Sequence, residues 1–261
     1  MTSAAKTGAG NAIAHDSALK HITGSARYTD DIPLPQDAAH AYLGLSEVAA
    51  GTITRLDLSA VEAHPGVLGT VGWQDIQGEN DVSPSGCGDD PIFAREIAFW
   101  GQPLFAVVAE TRDIARAAAR LAIVEVQTKE PALKLEEASE MVAEPLTLRK
   151  GDVAAGLSRA PNRLKGQINI GGQDHFYLEG QIALAIPGED ETLTVWSSTQ
   201  HPSEVQHMVA QALQLSQAEV TVKVQDFFSK LSNCRNPSSE IPVRWPLEVR
   251  AKVSLTLAAS V

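Results

Sequence analysis

The sequence predicts an α+β fold, and three observations carry that expectation. Short segments alternate apolar and polar residues, as half-buried strands do. An uninterrupted apolar run, Leu104 to Ala109, leads at once into a helical stripe. A second set of alternating segments begins only beyond residue 150, after a stretch rich in Glu and Pro.

Residues 1–17 are rich in Ala, Gly, Ser and Thr and read as a mobile N-terminal tail. Lys6 to Gly10 lacks both the preceding strand and the spacing of a phosphate loop. Ser17 to Pro35 has little periodicity and is expected to be an ordered connection with short extended pieces. Ala41 to Ser46 and Thr52 to Leu58 alternate around Gly51 and predict two strands. Ser59 is expected to cap a short helix that His64-Pro65-Gly66 ends, and Val67 to Val71 predicts a third strand. Gly78 to Arg95 reads as a loop. Leu104 to Ala109 has the composition of a buried strand. Thr111 then caps a helix with Asp113 in its first turn and Ile114, Ala117, Ala118 and Leu121 as the expected buried stripe. Ile123 to Thr128 is a further strand.

Pro131 to Lys150 reads as a linker with one short helix at Leu135 to Val142. Leu164 to Ile170 alternates cleanly. Ile182 to Ile186 and Leu193 to Ser198 form a hairpin across Pro187-Gly188-Glu189-Asp190-Glu191. Pro202 opens a helix with Val205, Met208, Val209 and Leu213 on one side. Ser216 and Glu219 have the spacing of a capping box, and Val220 to Val224 is a strand.

Composition narrows function. Apolar residues make up 44% and charged residues 20%, a globular balance, and the net charge is −11. An acidic surface repels phosphate backbones, so nucleic acid is not the expected partner. No apolar run reaches the roughly 18 residues that crossing a membrane takes, and the N-terminus has no secretory pattern. Cys87 and Cys234 match no metal spacing and fit a reducing, cytoplasmic setting.

Several polar groups invite a site and are read as ordinary surface. Asp81, Asp89 and Asp90 do not follow a calcium-loop pattern. Arg112, Arg116 and Arg120 recur on one helix face, which reads as solvated. His201 and His207 do not share a face as a ligand pair would. One stretch differs: Gly171-Gly172-Gln173-Asp174-His175-Phe176-Tyr177-Leu178-Glu179 brings glycines, an amide, acids, His and aromatics together before an apolar strand.

That stretch resembles the Gly-Gly-Gln segment of the xanthine dehydrogenase family of molybdenum hydroxylases. Three more blocks agree in order. Gly24-Ser25-Ala26-Arg27-Tyr28-Thr29-Asp30-Asp31-Ile32 resembles the lead-in to the family's α/β-hammerhead domain. Trp100-Gly101-Gln102-Pro103 with the following strand, and Ser197-Ser198-Thr199-Gln200-His201-Pro202, resemble two others. The resemblance implies an α/β-hammerhead-like domain over 18–131, a linker over 132–150 and the start of a molybdopterin-binding domain over 151–224. It implies that Gln173 stands beside the molybdenum of a molybdopterin cofactor and contacts an oxygen ligand of the metal. A neutral amide can donate there without adding charge, and the glycines let the backbone come close. The implied activity is hydroxylation of a purine (hypoxanthine or xanthine to urate), with electrons passing to an iron–sulfur/FAD partner subunit.

The resemblance stops near Val224. The family's glycine-rich loop is replaced by Gln225-Asp226-Phe227-Phe228-Ser229, and 225–261 forms an atypical tail that does not match. The base glutamate and the substrate-orienting arginine have no counterpart in these residues. The expectation is therefore a truncated chain, inactive alone and weak in cofactor binding, with no catalytic residue assigned. Two other readings stand beside it: a non-catalytic module that docks the iron–sulfur/FAD subunit, and a small-ligand-binding domain.

Overall fold

The computed structural model describes residues 17–83, 88–133, 146–148, 150–170, 181–224 and 251–259. The first half builds two antiparallel three-stranded sheets. Strands β1 (His40–Leu45), β5 (Pro103–Ala109) and β3 (Val67–Gly72) form one, in the order β1-β5-β3. Strands β4 (Glu96–Ile97), β2 (Gly51–Asp57) and β6 (Ile123–Thr128) form the other, in the order β4-β2-β6. Helices α2 (Ser59–Glu62) and α3 (Arg112–Ala119) pack with the first sheet. β5 is its central strand, which is why its run is apolar throughout: Leu104, Phe105, Ala106 and Val107 are all buried. Val61, Ala94, Ile97, Ala115 and Ala118 join them in one core, with Ile53, Leu56, Val124 and Val126 of the second sheet against it.

Helix α3 starts as expected, with Thr111 Oγ1 accepting the Ile114 N–H at 3.2 Å. Its buried stripe is rotated from the expected one. Ala115 and Ala118 are buried, while Ala117 and Leu121 face solvent. The small alanines let the helix lie close on β1 and β5, so the apolar periodicity alone named the wrong edge of the stripe. Arg112 and Arg120 are exposed and Arg116 is half-buried. Two local expectations are corrected. Ser59 is the first residue of the helix that follows β2 and not its cap: Leu58 holds the cap position, and Asp57 Oδ1 accepts the Ser59 N–H at 3.1 Å. Helix α1 (Ala18–Thr23) lies where a connection of short extended pieces was expected, and it ends on Gly24 with a left-handed φ of 70°.

The second half holds helix α4 (Val153–Arg159), strands β7 (Asn162–Ile170), β8 (Ala183–Pro187) and β9 (Leu193–Ser197), helix α5 (Pro202–Leu213), and strands β10 (Val220–Lys223) and β11 (Ala251–Ala259). Asp152 caps α4, its Oδ1 accepting the Ala155 N–H at 2.9 Å. The β8–β9 hairpin closes with Asp190 and Glu191 both at positive φ, the geometry of a type I′ turn made here without glycine at either position. β9, α5 and β10 make a parallel strand–helix–strand unit, because strands running the same way need a crossover. The expected capping box is present, with Ser216 N–H donating to Glu219.

Within the stretch that the resemblance does not cover, β11 pairs antiparallel with β7 over nine residues. The register sets Val253 opposite Ile168, Leu255 opposite Gly166 and Leu257 opposite Leu164, with Lys252 opposite Asn169 and Ser254 opposite Gln167 between them. The expected helix at Leu135 to Val142 and the thiols Cys87 and Cys234 lie outside the described residues. Among the described residues no helix is long and apolar enough to cross a membrane.

Candidate functional site

Gln173, with Gly171, Gly172 and the rest of 171–180, lies outside the described residues. What the structure places is the frame on either side. β7 ends at Ile170, three positions before Gln173, and β8 starts at Ala183. The last residue before β8 is tied down. Ile182 N–H donates to Ser198 Oγ at 3.1 Å, Ser198 Oγ approaches Ile182 O at 3.3 Å, and Ser198 N–H donates to Ile182 O at 3.2 Å. Ser198 follows β9 directly, so the chain leaving the glycine-glutamine segment is clamped to the turn that enters α5.

Direction follows from topology. β8 runs antiparallel to β9, and β10 runs parallel to it. The start of β8, the C-terminal ends of β9 and β10 and the N-terminal end of α5 therefore lie at one end of the three-stranded sheet. Ligands of open α/β sheets bind outside the carboxyl ends of parallel strands, where helix N–H groups and loop side chains converge. Ser198, Thr199, Gln200 and His201 occupy that end, with Thr199 Oγ1 accepting the His201 N–H at 3.0 Å. These are hydroxyls, an amide and an imidazole. Hydroxyls and amides of this kind can donate to an oxygen-rich ligand.

The two histidines go separate ways. His201 stands at the N-cap of α5, and His207 Nδ1 lies 2.7 Å from Gln217 Nε2 on the helix flank. The acidic loop is occupied by its own backbone. Asp81 accepts from the Ser83 hydroxyl at 2.7 Å, the Ser83 N–H at 3.0 Å and the Gly88 N–H at 3.2 Å. These bonds hold the Asp81 carboxyl below its ordinary pKa, the Ser83 hydroxyl contributing most. Asp90 is raised, first by burial and then by the charges of Asp89 and Asp81. A carboxyl with a raised folded pKa costs stability once ionised. That cost is absent below the unfolded pKa and grows as pH rises through the folded one. Asp90→Asn is expected to raise the unfolding free energy at neutral pH, by on the order of a few tenths of a kcal/mol given solvent screening, and to match the parent at acidic pH. Urea titrations of both chains across pH measure this.

The fold and the sheet end define a class: a hammerhead-type α+β domain followed by a cofactor-binding α/β unit. Comparison with known proteins agrees with both parts. Residues 23–130 match the family model described as aldehyde oxidase and xanthine dehydrogenase, a/b hammerhead domain. Residues 135–227 match the molybdopterin cofactor-binding domain. The chain belongs to the aldehyde oxidase and xanthine dehydrogenase family of molybdenum hydroxylases.

Xanthine dehydrogenase of Drosophila pseudoobscura pseudoobscura is 36% identical over 217 residues, 81% of this chain and 16% of that protein. Xanthine dehydrogenase of Oryza sativa subsp. japonica is 37% identical over 227 residues, 84% of this chain and 16% of that protein. In structure, the aldehyde oxidoreductase from Desulfovibrio desulfuricans ATCC 27774 superposes with a TM-score of 0.71 at 21% identity, over 82% of this chain and 26% of that one. That likeness speaks for the fold. The chain thus spans about one sixth of the length of the curated relatives it matches.

Reasoning from sequence missed the Ser198–Ile182 clamp. Its only sequence signal was the Ser-Ser-Thr-Gln block itself, which was read as resemblance without a role.

Proposed function

We propose that these residues form one wall of a molybdenum hydroxylase active site, with Gln173 beside the metal of a molybdopterin cofactor. The supporting observation is the order of parts: the two family domains follow one another, Gly171-Gly172-Gln173 falls in the second by sequence, and Ile182, ahead of β8, is held to Ser198 at the end of the sheet where its parallel strands finish. When bound, the cofactor supplies two-electron oxidation of a substrate carbon with oxygen drawn from water. The contribution of this chain is positional. Gln173 offers a neutral amide donor, Gly171 and Gly172 permit close backbone approach, and Ser198 fixes where the segment rejoins β8.

In this reading the hammerhead domain covers 18–131, a linker 132–150, and the cofactor domain opens over 151–224. The substrate is a purine of the hypoxanthine and xanthine type, since the similar curated sequences are xanthine dehydrogenases. Electrons leave to an iron–sulfur/FAD partner subunit, in the cytoplasm. In this reading Gln173 stands beside the cofactor without the family's glycine-rich loop, whose place in the sequence is taken by Gln225-Asp226-Phe227-Phe228-Ser229, so the chain alone binds it weakly.

The test is elemental. The chain purified from a host that makes the cofactor should carry molybdenum well below one atom per chain, and stoichiometric metal would overturn weak binding. Co-expression with an iron–sulfur/FAD subunit of the family separates the readings. Co-purification with neither metal nor turnover supports a docking module and counts against a catalytic wall.

A further inference from the structure

The two halves of the chain meet at a small seam that has the build of a latch. The segment Gln77-Gly78-Glu79 lies against the last turn of α5. Gly78 N–H donates to Ala212 O at 3.0 Å and Glu79 N–H donates to Gln211 O at 3.3 Å. In return, Gln214 Nε2 donates to Gln77 O in a short hydrogen bond. The last turn of a helix runs out of helical donors, and here another domain's backbone supplies one to Ala212 O and a second to Gln211 O, which also accepts the Gln214 N–H at 3.3 Å.

Two features show that this contact is specified by sequence. Gly78 must lack a side chain: a Cβ there would overlap Gln211 O and stand 2.9 Å from its carbonyl carbon. Gln214 adopts a left-handed φ of 56°, a conformation that helix ends usually give to glycine. A glutamine placed there forgoes the easier cap, and its amide reaches Gln77. Unfavourable backbone geometry held in place points to a role for the side chain that bears it.

Each side of the seam is also fixed to its own body. On the hammerhead side, Asp75 Oδ2 accepts the Gly72 N–H at 2.7 Å, closing the turn after β3. Asn80 then exchanges two hydrogen bonds with the Phe93 backbone, at 2.9 and 3.0 Å, and Phe93 is buried. Ala94 N–H continues into β5 through Pro103 O at 2.9 Å. On the other side, Gln206 Nε2 bonds Gln217 O at 2.9 Å and Val220 O at 2.7 Å, pinning α5 to the start of β10. Ala210, on the same helix, is buried. Three hydrogen bonds therefore join two bodies that are each internally held.

We propose that Gly78 and Gln214 form an interdomain latch that couples the hammerhead domain to α5. The helix is about 18 Å long at 1.5 Å per residue. One end carries the latch, and the other carries the turn Ser198–His201 at the ligand-binding end of the sheet. A displacement of the hammerhead domain is thereby passed along α5 to that turn. The proposal does not depend on the cofactor or the substrate.

The test compares the full chain with Gln214→Gly and Gly78→Ala by amide hydrogen exchange and thermal unfolding. Glycine suits the left-handed position, so Gln214→Gly leaves α5 itself as well protected as before or better. If the latch holds, the amides of Gly78 and Glu79 exchange about tenfold faster in that variant, the effect of losing one net hydrogen bond, and the two halves unfold in separate transitions. Gly78→Ala should do the same more strongly. Should it fail to fold, Gln214→Gly decides alone. Unchanged exchange at 78 and 79 in a folded Gln214→Gly chain, or unprotected amides there in the parent, would overturn the proposal.

Discussion

Gly44→Val is expected to destabilise the hammerhead domain by about 3 kcal/mol, the upper end of what overpacking a core costs. Gly44 pairs across the sheet with Phe105, whose ring is 2% exposed and lies over the glycine. A Cβ at 44 would overlap that ring, with Phe105 Cε2 at 2.6 Å. The ring has little room to retreat, because Phe105 belongs to the one core that both sheets share. For a domain of this size the loss corresponds to roughly 12–24 °C in Tm. Gly69→Ala is the control. It lies on β3 of the same sheet, and a Cβ there meets nothing within 4 Å. Thermal scans should leave Gly69→Ala near the parent and displace Gly44→Val far below it. Phe105→Leu added to Gly44→Ala should recover part of the loss, since the shorter side chain vacates the overlap. Equal Tm for Gly44→Val and the parent would mean that Phe105 does not pack on Gly44.

Sequence patterning reached the strands because each has one dominant local signal. β5 is apolar on both faces, and β8 and β9 flank a compact turn. It reached the family through four separate blocks, which periodicity does not supply. It failed where tertiary packing decides between local options. The stripe of α3 turned toward its alanines because a close approach to β5 favours small side chains over Leu121. The tail strand β11 was faint because alternation over nine residues acquires meaning only against the matching alternation of β7. The Ser198 clamp and the Gly78 latch were illegible for a related reason. Each joins residues 16 or more positions apart by pairing one polar side chain with a distant backbone group, a pairing that no local periodicity announces. Gln173 was legible as a motif and stays so; its geometry lies outside the described residues.

Gln102, like Gln173, follows a glycine in the sequence, and the structure gives Gln102 an architectural task. Gln102, in Trp100-Gly101-Gln102-Pro103, is 1% exposed. Its Oε1 accepts the Ala98 N–H at 2.8 Å, and its backbone carbonyl accepts the Ser46 N–H at 2.9 Å. Gly101 N–H returns to Ser46 O at 2.9 Å, so the backbone of this turn is stitched to the end of β1 while the side-chain amide closes the turn on Ala98. Gln102→Glu keeps the accepting oxygen and the shape while placing a carboxyl in a buried site with no cation bonded to it. Burial disfavours the ionised form, so the folded pKa of the new group rises above the ordinary glutamate value of about 4.3. The sign then follows. The cost is absent below the unfolded pKa, grows as pH rises through the folded one, and is complete above it. A rise of two to three units corresponds to about 3–4 kcal/mol at neutral pH. Urea midpoints of Gln102→Glu should therefore approach the parent in acid and fall well below it at pH 7. Gln102→Leu loses the acceptor instead of gaining a charge, and it should cost about 1–2 kcal/mol at every pH. A Gln102→Glu chain as stable as the parent at pH 7 would show that water or a cation reaches this position, and the amide would lose its architectural assignment.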